Sequence, residues 1–109
     1  MSLFEYFKFK PKPPPRITVP ENIYSGGDGS SPEMAIVINT NASSLGVRAE
    51  YNWIETRYGQ RDVDWSVAKR SHGESLNGKY VEVFYIILKN GDKKIFYFDI
   101  SAFFGKFIY

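Results

Sequence analysis

The chain has no cysteine and a single histidine, His72. The first absence excludes a disulfide framework, a thiol nucleophile and any thiolate metal site; the second excludes a pair of histidine ligands. No apolar run approaches the roughly 18 residues that a membrane span needs, and the first residues lack the apolar centre of a secretory signal. The expected location is therefore cytoplasmic. Excess charge is also scarce: 14 basic residues face 12 acidic ones, a net of +2. Lys8, Lys10, Lys12 and Arg16 against Glu5 give the first sixteen residues more positive charge than the whole chain nets, so the remainder is slightly acidic. Basicity confined to a tail argues against a broad nucleic-acid-binding face.

What the chain has in quantity is aromatic side chains: nine Phe, eight Tyr and two Trp among 109 residues. A chain of this length forms one small domain, with little interior in which to hide so many rings. Residues 1–20 read as an appendage and 21–109 as the domain. Within the appendage, Ser2 and Glu5 fit a capping box, while Phe7-Lys8-Phe9-Lys10 alternates as an edge strand does. Pro11 to Arg16 forms a polyproline II spacer that also satisfies P-x-x-P-x-R, a pattern recognised by aromatic-lined grooves.

Gly26-Gly27-Asp28-Gly29 is a loop, followed by a brief turn at Ser30–Glu33 and a buried β-branched strand at 35–39. Val47, Tyr51, Ile54 and Tyr58 recur at helical steps, with Ala49 and Trp53 widening the stripe, so 43–58 is expected to be helical and to end at Gly59. A half-buried strand is expected near 63–71. Tyr80–Lys89 and Asp92–Ser101 are strand-like runs on either side of Asn90-Gly91, a strong hairpin signal. A short aromatic helix is expected after Ser101. The pattern is β-α-β-β-β: an α+β domain with an antiparallel-rich sheet and one main helix on one face.

A two-residue turn at Asn90-Gly91 would set Lys89 opposite Asp92. Tyr85 would then share a face with Phe96 and Phe98, and Glu82 would oppose Asp99. In that register both faces of the hairpin are largely apolar, and one helix covers only one of them. The other needs the termini, including Phe103, Phe104 and Phe107, or a second chain. The facing carboxylates Glu82 and Asp99 need a compensating charge, and Arg70 on the neighbouring strand is the expected one.

Other constellations are weaker. His72 has no serine in a nucleophile-elbow setting and is expected in a loop at a strand end. Asp28, Asp62 and Asp64 lack calcium-loop spacing, so no metal is assigned, and no cofactor motif is present. The Gly26–Ser30 loop could cradle an anion, but it lacks the lysine of a phosphate-binding loop.

Three functional readings follow. The first is a non-enzymatic protein-interaction module (an inhibitor, an immunity-type protein or a complex subunit) that binds a protein partner or a second copy. Its contacts are Tyr85, Phe96 and Phe98, with Glu82 and Asp99 secondary. No catalytic residue is assigned. The second is a small-molecule binder or minor enzyme with a pocket between helix and sheet, lined by Glu50, Trp53, Arg70, Glu82 and Asp99. The third is single-stranded nucleic-acid binding through Phe7, Lys8, Phe9 and Lys10 of the tail.

Overall fold

A computed structural model describes residues 18–75 and 77–105. After a 3-10 turn at Glu21–Ile23 come strand β1 (Tyr24–Gly26), β2 (Ile36–Ile38), helix α1 (Ser43–Tyr58), β3 (Trp65–Glu74), β4 (Tyr80–Leu88) and β5 (Lys93–Asp99). The strands form a single sheet in the order β1-β2-β5-β4-β3. The fold is α+β, with one main helix packed on a mixed sheet. β3, β4 and β5 make an antiparallel meander, and β2 joins β5 in parallel through Ile36–Phe98 and Val37–Asp99. The helix carries the chain from β2, over one face, to β3 at the far edge.

The helix has the bounds that its periodicity predicts. Thr40 Oγ1 accepts a hydrogen bond from Ala42 N (3.2 Å) just ahead of it. Gly59 ends it at φ 103°, a conformation that strains residues with a Cβ. Its buried arc is rotated from the expected stripe. Gly46, Ala49, Glu50, Tyr51, Trp53 and Ile54 face inward, whereas Val47 is exposed. Gly46 at the start of this arc is a close approach: a Cβ there would lie 2.5 Å from the Phe103 ring. Ala49 and Ile54 sit against a core built from Ile36, Ile38, Trp65, Phe84, Ile86 and Phe98. Trp53 makes edge contacts with Phe96 (centroids 5.1 Å apart) and Phe98 (5.7 Å). The chain turns at Ser101–Gly105, where Phe103 is buried. The rest of the expected C-terminal helix, Phe107 included, lies outside the described residues, as does the 1–17 segment.

The hairpin register differs from the expected one by a single position. The loop has three residues, Lys89-Asn90-Gly91: Leu88 N donates to Asp92 O (2.8 Å) and Gly91 N donates to Leu88 O (2.8 Å). A two-residue type I′ turn needs positive φ at both central positions. Gly91 has it, at 92°, but Asn90 does not. Instead, the Asn90 side-chain oxygen accepts from Asp92 N (3.0 Å), bracing the longer loop. Because side chains alternate, the slip redistributes the β5 residues between faces. Glu82 lies opposite Phe98 and Val81 opposite Asp99, so the two carboxylates point to opposite sides and the expected repulsion does not arise. Phe96 and Phe98 join Phe84 under the helix, while Tyr85, Ile95 and Tyr97 share the other face.

A second irregularity shapes the site. The β3–β4 register shifts between Val67 and Lys69, leaving Ala68 as an extra residue. Upstream of this bulge Trp65 pairs with Leu88 and Val67 with Ile86; downstream Arg70 pairs with Phe84 and His72 with Glu82. Odd residues face the helix before the bulge and even residues after it. Bulges re-aim side chains in this way.

Candidate functional site

Two regions carry chemistry. The first lies beneath the helix, where Arg70, re-aimed by the bulge, spans a carboxylate and a phenol hydroxyl. Its Nη2 and Nε lie 2.8 and 3.1 Å from Glu82 Oε2, and its Nη1 donates to Tyr51 Oη at 3.1 Å. The guanidinium also rests over the Phe84 ring, 4.9 Å from its centroid. The ion pair expected from sequence is thus present, with Glu82 buried and the Arg70 side chain about one-third exposed (35%).

Glu50 is the residue that sequence reasoning left only as a lining candidate. It is fully buried at 0% exposure, and neither carboxyl oxygen has a hydrogen-bond partner among the described residues. Burial pushes its carboxyl well above the usual range. The neighbouring Glu82 carboxyl pushes it the same way, and Arg70 pulls against them. A charged carboxylate in such a place is costly, so the neutral form of Glu50 is favoured. The sequence did contain a signal: Gly46, Glu50 and Trp53 follow the same 3–4 spacing as the apolar stripe. A glutamate on a buried arc is easily read as solvent-facing.

The second region is the face turned away from the helix. Strand pairing sets Val81, Val83, Tyr85 and Ile87 of β4 beside Ile95 and Tyr97 of β5, with Val37 of β2 on the same side. Along this band Ile95 is 45% exposed and Val83, Tyr85, Ile87 and Tyr97 are half-buried, while Val81 at its end is buried. At one end is a groove of about 640 Å³ with Val81, Val83 and Tyr97 in its lining. Glu33, from the loop before β2, and Glu74, at the end of β3, are also part of that lining.

The expected contact residues divide between these regions. Tyr85 lies on the open face. Phe98 is fully buried under the helix and Phe96 is half-buried against Trp53 and Tyr58. These two rings therefore belong to the covered core, a correction that follows from the slipped register. Glu82 is held by Arg70, and Asp99 is buried 3.8 Å from Lys79 Nζ while accepting from Ser101 N (3.0 Å). Phe7, Lys8, Phe9 and Lys10 lie outside the described residues.

His72 sits within β3 rather than in a loop, its ring 5.3 Å from that of Phe104. The glycine-rich loop has its amides committed: Gly27 N donates to Ala35 O, Gly29 N to Met34 O and Ser30 N to Asp28 Oδ1. Gly29 O in turn accepts from Tyr97 N (2.9 Å), which ties the loop to β5. Among the described residues no group of acidic or histidine side chains could hold a metal ion, and no helix is long and apolar enough to cross a membrane. Compared with protein-family models, curated proteins and solved structures, the chain matches none.

Proposed function

We propose that the chain is a non-enzymatic protein-docking module whose contact surface is the sheet face opposite α1. The observation that supports this reading is the apolar band of Val83, Tyr85, Ile87, Ile95 and Tyr97, with Ile95 exposed and the others half-buried, in a domain with one long helix among its described residues. Antiparallel sheets that present one face to water alternate apolar with polar residues, and β4 does not. A contiguous apolar patch marks an interaction site. Tyr85 is retained from the sequence reading as a contact, with Ile95 and Tyr97 replacing Phe96 and Phe98. The proposed setting is cytoplasmic, and the role is that of an inhibitor, an immunity-type protein or a complex subunit.

The test pairs Tyr85→Glu and Ile95→Glu with sedimentation velocity, run on the chain alone over a range of concentration and with the products of neighbouring genes. Both variants are expected to keep the wild-type far-ultraviolet spectrum and to lose association. Association indifferent to both charges, or a chain that associates with nothing, removes the reading.

A second reading, a small-molecule site between helix and sheet, draws its support from the buried and unpaired Glu50 carboxyl beside Glu82 and Arg70. The groove described above lies on the other side of the sheet, so this reading ranks behind docking.

A further inference from the structure

We infer that the groove on the open face receives an extended partner segment in which apolar side chains alternate with lysine or arginine. This rests on the docking reading and adds the chemistry of the occupant. The floor supplies one half of the match: half-buried Val83 and Tyr97, with the buried Val81 beside them, offer an apolar surface on which alternate side chains of an extended peptide can lie. The rim supplies the other half. Glu33 and Glu74 are exposed, and neither makes an ion pair with another described residue. Among the described residues no lysine or arginine lines the groove. The nearby basic residue on that end of the sheet, Lys79, is directed to Asp99. An acidic rim unpaired among the described residues favours a basic ligand and repels an acidic one.

The position of the groove fits a docking role. Pairing places Ser25, Val37, Asp99, Val81 and Gly73 in one row across all five strands, so the groove has a continuous sheet end beneath it, with loop residues Pro32, Glu33, Ser75 and Asn77 in its walls. Gly73 adds room, since a Cβ there would meet nothing within 4 Å. The row beside it brings Tyr97, Val83 and Ser71 together.

The probe is an end-capped hexapeptide alternating phenylalanine and lysine, with a counterpart in which glutamate replaces lysine. Each is titrated into the full chain while the resonances of Val81, Val83 and Tyr97 are followed. The lysine peptide is expected to shift those resonances, and its affinity is expected to fall with added salt as exposed charges are screened. The double variant Glu33→Gln/Glu74→Gln is expected to weaken it by about tenfold. Equal binding by the glutamate peptide, or an unaffected double variant, overturns the inference.

A third titration uses the full chain carrying Lys8→Glu and Lys10→Glu. Binding seen only there gives the groove to the chain's own Phe7–Lys10 segment and overturns the assignment to a partner. Loss of peptide binding alone is distinguishable from failure of docking, because Tyr85 and Ile95 lie outside the groove lining. If their glutamate variants abolish association while neither peptide binds, docking stands and the basic occupant does not.

Discussion

The two faces of the β4–β5 hairpin differ less in composition than in what lies over them. On one, Phe84, Ile86 and Phe98 are sealed beneath α1; on the other, Val83 and Tyr85 are half-buried and Ile95 is exposed. Apolar composition alone therefore does not define a core. Burial depends on whether a second layer reaches the face, and one sixteen-residue helix reaches one side.

The sharpest contrast is between Phe98 and Ile95. Phe98→Ala should cost about 3–5 kcal/mol, read as a lowered denaturant midpoint, because a fully enclosed ring leaves a cavity behind. Ile95→Ala on the open side should cost under about 1 kcal/mol. Equal losses at the two positions would mean that the open face is covered in solution.

Arg70→Met should follow at about 2 kcal/mol, since it leaves Glu82 buried without its cation; the partial exposure of Arg70 reduces the loss expected for a fully buried pair. A methionine that restores full stability would show the ion pair to be dispensable. Glu50→Gln has the opposite sign and should stabilise the domain by about 1–2 kcal/mol at neutral pH. A carboxyl whose pKa is raised by folding gives the native state more bound protons than the unfolded chain. The wild-type protein should thus lose stability as pH rises above the ordinary glutamate value, until the raised native pKa is passed. Melting temperatures across that range should fall less steeply for Glu50→Gln. Parallel slopes for the two proteins would refute the protonated Glu50.

Much of this arrangement was legible in the sequence. The 43–58 helix was legible because its apolar spacing and the terminal Gly59 agree; the Arg70–Glu82 pair was expected from a Glu82–Asp99 repulsion that the slipped register removes, and it forms instead because buried Glu82 needs a cation. The hairpin was legible in place but not in register. Asn90-Gly91 is compatible with a two- or a three-residue loop, and the choice rests on the φ of Asn90, which residue identity does not dictate. That one ambiguity moved Phe96 and Phe98 from an expected docking surface into the core. β1 was illegible for another reason: Tyr24–Gly26 is too short for any alternation to register, and it pairs only because β2 offers an edge. Glu50 was hidden by its charge, as burial there depends on the opposing sheet.

Ala68 gives β3 a change of phase partway along its length. One end of the strand presents the Trp65 indole inward and the other presents a guanidinium, without either half breaking its own two-residue rhythm. Ala68 has no partner of its own on β4, so deleting it would join Val67, opposite Ile86, to Lys69, opposite Tyr85, in a regular ladder. The strand therefore has one point at which its length can change by a residue without turning either half over.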